Sequence, residues 1–247
     1  MSLQQFSQVD FFECIIAGEA QMPSHSIGGV PQRLWLMSEV RSFHMSPDHL
    51  PSISHLRSIT QALAMLDAIL CPEWEYRYYS FESQWGDNEE MASMRNGCGD
   101  DWFLLFDGAG AAIKGFAHEL AQGSTLPEHI QSQVPGSFSS FLNEPAFSMQ
   151  HATFCYWRGV NEHSWSKVIG GPEDDGASEM LALLVSGASG YIAWAESYYE
   201  CAVSAEATAA IFSHKPLTDS IILALNPEAE LATVYAEAAE IGYPVMV

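Results

Sequence analysis

Five consecutive apolar residues, Trp102 to Phe106, constrain this chain more than any other stretch of it. A strand with one wet face alternates apolar and polar residues; one that does not alternate is covered on both faces, as a central strand with helices packed on it. Gly108-Ala109-Gly110 follows, then a second run from Ala111 to Phe116. The two runs are expected to pair as a β-hairpin whose glycines supply positive φ in the turn. Tyr76 to Phe81, Glu90 to Arg95 and Thr153 to Trp157 read as further strands. Ahead of them, Leu56, Ile59, Leu63, Leu66 and Leu70 recur at helical spacing, which predicts an amphipathic helix over Ser54 to Leu70, stopped by Pro72.

The remainder divides by punctuation. Gly28, Gly29, Pro31, Pro47 and Pro51 interrupt residues 1 to 55, whose apolar runs Phe11 to Ala17 and Leu34 to Met37 suit short strands or helical turns. Gly123 to Pro145 reads as a connection and Asn161 to Gly176 as a loop. From Ala177 the pattern turns helical. Met180, Leu181, Leu184 and Val185 make one apolar face, Ile192, Trp194, Ala195, Tyr198 and Tyr199 another, and Ala205 to Phe212 is Ala-rich. Pro216-Leu217-Thr218 opens a short helix; Asn226-Pro227 is expected to open the last one, closed by Gly242 and Pro244. The expected class is α+β: a mixed or antiparallel sheet with an early amphipathic helix and a C-terminal helical bundle. Residues 1–167 would form the core domain, and 168–247 a helical region packed on it as one unit.

Charge limits the partners. Nine Lys and Arg oppose thirty-one Asp and Glu, a formal net charge of −22. The bases (Arg33, Arg41, Arg57, Arg77, Arg95, Lys114, Arg158, Lys167, Lys215) are scattered singly, whereas a nucleic-acid ligand needs clustered cations. An anionic membrane surface is disfavoured for the same reason. The field suits encounter with a basic protein, although an acidic surface also serves solubility alone. Hydrophobic residues at 48% suffice for a core, and 12% aromatic residues argue against disorder. Met1 to Asp10 lacks the features of a secretory signal and no stretch has the length of a membrane span, so a cytoplasmic location is expected. Cys14, Cys71, Cys98, Cys155 and Cys201 are widely spaced and odd in number, which suits reduced thiols; no metal and no cofactor are expected.

Several familiar motifs fail on spacing. His118-Glu119 lacks a second histidine at position 122, which is Gln122; Gly108-Ala109-Gly110 lacks a third glycine at 113, which is Ile113. Gly187-Ala188-Ser189-Gly190 is not a nucleophile elbow, and Lys114-Gly115 is not a phosphate loop. What remains is a window rich in turn formers, acids and tryptophan: Trp85 to Glu90, Arg95 to Trp102 and Lys114 to Glu119. If its runs pair as neighbours, the Asn96 to Asp101 turn and His118-Glu119 meet at one end of the meander. Asp100, Asp101, His118, Glu119 and Arg95 would then lie together, with Cys98 in the turn. A carboxylate beside an imidazole can act as an acid–base pair and a cysteine beside a histidine as a nucleophile. Asx-turn capping accounts for the same residues without any chemistry. Trp85, Trp102, Trp157 and Trp194 suit core or pocket lining, or a partner's anchor where one is exposed.

The string Trp85-x-Asp87-x-Glu89, Met91 to Gly97, Gly99-Asp100-Asp101 and Ile113-Lys114-Gly115-Phe116-x-His118-Glu119 resembles a group of uncharacterised bacterial proteins, some of them from toxin–immunity neighbourhoods. Phe141 to Phe147 and Phe154-Cys155-x-Trp157-Arg158 also fit. The resemblance covers mainly residues 85–158 and brings no catalytic role; it implies an antitoxin-like protein that binds and blocks its partner. Three expectations follow. The first is an acidic immunity or inhibitor protein that blocks a basic partner such as a nuclease-type toxin, with Trp85, Asp87, Glu89, Arg95 and Asp101 as binding residues. The second is a hydrolase-like enzyme using Asp100, His118 and Glu119, with Cys98. The third is a scaffold whose C-terminal helices pack on another copy.

Overall fold

The computed structural model describes residues 45–121 and 126–246, which belong to one compact unit; the expectations for residues 1 to 44 lie outside them. The fold is α+β, built on one six-stranded antiparallel meander in which every strand neighbours the next in sequence. Its strands are β1 (Tyr79–Gly86), β2 (Glu89–Arg95), β3 (Asp101–Asp107), β4 (Gly110–Phe116), β5 (Phe154–Gly159) and the two-residue β6 (Ser166–Lys167). Helix α1 (Ile53–Leu70) precedes the sheet, α2 (Leu126–Gln133) and α3 (Ser139–Asn143) separate β4 from β5, and five helices follow: α4 (Ala177–Met180), α5 (Leu183–Tyr198), α6 (Ala205–Phe212), α7 (Asp219–Leu225) and α8 (Leu231–Ile241). Among the described residues no helix is long and apolar enough to cross a membrane.

The apolar run in β3 is covered on both sides. Trp102, Leu104 and Phe106 face a core shared with α1 and the C-terminal helices. Leu105, with Phe103 packed alongside, faces a second core made with Leu126, Ile130, Phe141 and Phe147. Adjacent strand residues point to opposite faces, so a run with no polar member needs both layers. In the β3–β4 hairpin, Asp107 Oδ1 accepts the Ala109 and Gly110 N–H groups at 2.8 and 3.2 Å. Only one of the two turn glycines has a positive φ: Gly110, at 145°, where a Cβ would stand 2.1 Å from the Arg158 carbonyl oxygen of β5. Gly108 has open space around it.

Ser52 caps α1 by accepting the His55 N–H at 3.3 Å. The helix carries more than the apolar stripe its leucine spacing predicts, for every residue from Ile59 to Ile69 is buried. The sheet covers one side and the C-terminal helices the other, so its polar side chains must be satisfied internally. Thr60 donates to Leu56 O, and Gln61 Nε2 donates to Ile241 O at 3.0 Å, tying α1 to the end of α8. Asp67 does the most. Its Oδ2 accepts the Tyr78 and Tyr79 N–H groups at 3.0 and 2.7 Å, and its Oδ1 accepts the Tyr191 hydroxyl at 2.7 Å. One buried carboxylate thereby joins α1, the start of β1 and α5. The buried Tyr199 hydroxyl also lies near Asp67 and helps to favour its charged form.

Four local expectations differ from the structure. Tyr76 closes a 3₁₀ turn, Trp74–Tyr76, and β1 begins only at Tyr79. The Gly123 to Pro145 connection contains α2 and α3, because Leu126, Ile130 and Val134 recur at four-residue spacing against the second core. The loop from Asn161 to Gly176 includes β6. Asn226-Pro227 forms a turn, with Asn226 Oδ1 accepting the Glu228 N–H at 3.1 Å, and α8 starts four residues after Pro227. Gly242 does end α8 in the left-handed conformation, φ 71°.

Burial raises the Asp67 carboxyl from its ordinary 3.8 to about 6, against the lowering effect of its hydrogen bonds. The folded state then holds this proton more tightly than the unfolded chain. Its contribution to stability is complete below pH 3.8 and lost as pH rises through about 6. Asp67→Asn should therefore gain stability relative to wild type between pH 4 and 7 by about 3 kcal/mol, read by chemical denaturation at stepped pH; a constant gap between the two proteins would refute this.

Candidate functional site

The meander presents two ends, roughly 20 Å apart for strands of this length. At one end the β2–β3 turn is organised by Asn96, whose Oδ1 accepts the Cys98 and Asp100 N–H groups at 2.8 and 3.1 Å. Gly97 and Gly99 take φ of 73° and 106°. Asn96 Nδ2 donates to Asp100 Oδ2 at 2.7 Å. Asp100 Oδ1 then accepts from the His118 backbone N–H at 2.8 Å and lies 2.9 Å from His118 Nδ1. Burial pushes the Asp100 carboxyl up, but donation from the His118 ring and backbone and from Asn96 outweighs it and holds the group below its ordinary value. An ionised Asp100 makes Nδ1 the donor and leaves Nε2 as the free ring nitrogen, the orientation of a general base. The pair is a surface feature, with side chains 24% and 41% exposed.

The rest of the expected cluster disperses. Glu119 is exposed, one residue beyond His118, and Cys98 is exposed in the turn. Arg95, facing Asp101 in the β2–β3 register, lays its guanidinium 4.3 Å from the centre of the Trp74 ring. Asp101 is the first residue of β3, on the sheet face that carries Phe103 and Leu105. There its Oδ1 accepts from Lys114 Nζ at 2.7 Å. Lys114 has no exposed side-chain surface; it lies 5.3 Å from the Phe103 ring and 5.9 Å from Phe116, opposite Cys155 in register. Burial lowers its pKa while Asp101 opposes the shift.

Trp85, Asp87 and Glu89 lie at the other end. Trp85 stacks on Phe147, centroids 6.2 Å apart at 18°, and so belongs to the wall of the second core. Asp87 is exposed beside Asn88, which takes φ 61°. Glu89 lines an open cleft of about 780 Å³ with Ser52, Arg57, Glu90, Arg158 and Glu162. Arg57 pairs two-pronged with Glu90 through Nε and Nη2. Arg158 Nε donates to Glu162 O at 3.0 Å, and Glu162 Oε2 accepts the Gly159 N–H. The cleft and the Asp100–His118 pair are thus separate, so the acid–base pair does not line the cleft. Among the described residues no three His, Cys, Asp or Glu side chains are grouped to hold a metal ion, and Cys71, Cys98, Cys155 and Cys201 are free thiols.

Three groups escaped the sequence reading. Lys114 is the single charge in an otherwise apolar strand, a pattern that calls for a buried partner. Arg77 is buried at the foot of a turn. Trp74 and Tyr76 alternate with Glu73 and Glu75 directly after Pro72, a pattern of exposure that the strand reading of Tyr76 to Phe81 concealed. No protein-family model, no curated protein and no solved structure matches this chain.

Removing one member of the Lys114–Asp101 pair should be asymmetric. Asp101→Ala strands a buried ammonium and should cost on the order of 2 kcal/mol, whereas Lys114→Met fills an apolar space and should cost less. Denaturant midpoints of the two variants decide it; equal losses would count against the buried charge as the cause.

Proposed function

We propose that this protein is an acidic binding protein that sequesters a basic protein partner. The observation that carries the proposal is where the cations go. Of the seven in described residues, Arg57, Arg77, Lys114 and Lys167 are paired with Glu90, Glu237, Asp101 and Asp175. Arg158 is held by the Glu162 carbonyl and Arg95 lies on Trp74. Lys215 is left exposed, three residues after α6. With six of the seven described bases engaged by other groups of the chain, the acidic surface offers a basic partner a largely attractive field. The resemblance of residues 85–158 to uncharacterised bacterial proteins, some of them from toxin–immunity neighbourhoods, makes a nuclease-type toxin the first partner to try.

The tagged full chain, used as bait in host lysate at low salt, should retain one basic protein near stoichiometrically and release it as salt rises from about 0.1 M toward 1 M, where the screening length falls to about 3 Å. Absence of any basic protein, or retention unchanged through the salt steps, would overturn the proposal.

The Asp100–His118 geometry favours a second reading, hydrolysis with His118 Nε2 as general base. Against a panel of ester, phosphodiester and peptide substrates, His118→Ala and Asp100→Asn should lower turnover by about a hundredfold or more. Equal turnover by the variants, or none by wild type, ends this reading.

A further inference from the structure

Directly after α1 the chain reads Pro72-Glu73-Trp74-Glu75-Tyr76-Arg77. Trp74 and Tyr76 are 52% and 50% exposed, the most exposed aromatic side chains among the described residues. Their turn is nonetheless fixed. The Tyr76 N–H donates to Glu73 O at 3.1 Å and the Arg77 N–H to Trp74 O at 3.2 Å. Beneath it the buried Arg77 donates through Nε to Cys71 O at 2.8 Å and through Nη2 to Pro72 O at 3.0 Å, while both terminal nitrogens bind the Glu237 carboxylate. Two half-exposed rings on a clamped backbone lose little conformational freedom on binding, which is the property of an interface anchor.

The chemistry around the rings selects the occupant. Arg95 shows that the Trp74 ring accepts a guanidinium, at 4.3 Å from its centroid, and the residue remains exposed to solvent. Glu75 is close enough to Tyr76 to hold the phenol pKa above its ordinary value. Each ring therefore neighbours a carboxylate in sequence, and a cation that meets both a π face and a carboxylate is held by two attractions at once. Arginine suits the site better than lysine, being planar, less strongly hydrated and able to stack.

We infer that the Glu73–Tyr76 turn is the docking point of the basic partner, receiving an arginine side chain against the open parts of Trp74 and Tyr76 and between the Glu73 and Glu75 carboxylates. This inference rests on the reading of the protein as an acidic binder and gives that reading a location.

The test uses the full chain and two labelled peptides of equal charge, one alternating arginine with glycine and one alternating lysine with glycine, followed by fluorescence anisotropy at low salt. Wild type should prefer the arginine peptide. The double variant Trp74→Ala/Tyr76→Ala, which changes no charge, should bind it about tenfold more weakly and lose the preference. Glu73→Gln/Glu75→Gln should weaken both peptides while keeping the preference, so the inference stays testable even if the aromatic variant misfolds. Unaltered arginine-peptide binding by the aromatic variant, or no preference in wild type, would overturn the docking point and leave the acidic binder standing. Failure of both peptides to bind wild type would overturn both.

Discussion

The helical side of this molecule is organised around a single buried carboxylate. Asp67 receives two backbone N–H groups from the start of β1 and a hydroxyl from α5, while its own helix runs beneath the sheet. An unpaired carboxylate at that depth would be prohibitive, so the chain can bury it only by bringing these three elements to one geometry. The aromatic rings follow from that placement. Tyr78 packs edge-on to Trp194 with centroids 4.8 Å apart, and Trp194 stacks on Tyr198 at 5.0 Å. Tyr79, Trp102 and Tyr191 close the group. Polar satisfaction at the centre and ring packing around it are two aspects of the same arrangement.

Charge is sorted by the same logic of burial. Three of the described bases sit where the fold needs a donor: Arg77 under a turn, Lys114 on a covered sheet face, Lys167 against the buried Asp175. Among the described carboxylates only Asp67 and Asp175 are buried, and the others stay half-buried or exposed. The strong acidity is therefore a property of the surface and not of the core, which is why it bears on partners and association rates more than on the fold. The exposed turn over Arg77 combines both features, since a buried cation holds its backbone while glutamates and aromatic rings face outward.

The Asp100–His118 pair was legible because both residues flank a strand pair whose hairpin was legible. Once β3 and β4 are antiparallel neighbours, the turn before β3 and the residues after β4 share one end of the sheet. Asp101 was not separable from Asp100 by that argument. The step from turn to strand reverses the direction of the side chain, so two adjacent aspartates end in different environments, one on a histidine and one on a buried lysine. Trp85 was equally ambiguous: its stacking on Phe147 depends on a helical segment sixty residues later, within a stretch whose Gly and Pro residues suggested only a connection.

Sequence by itself determined the elements whose signal is periodic and local: α1 from its leucine spacing and Pro72, the β3–β4 hairpin from two apolar runs around Gly110, the helical character of the C-terminal region, and the two-sided covering of β3. It also determined the sign of the surface field. Tertiary structure alone decided which polar groups are buried, because that depends on what covers each face: the near-complete burial of α1, the roles of Asp67, Arg77 and Lys114, and the separation of the cleft from the Asp100–His118 pair. It also decided that Trp74 and Tyr76 stay outside while Trp102 goes in. Local pattern records how often a residue faces a partner surface; only the assembled layers determine whether a partner surface is there.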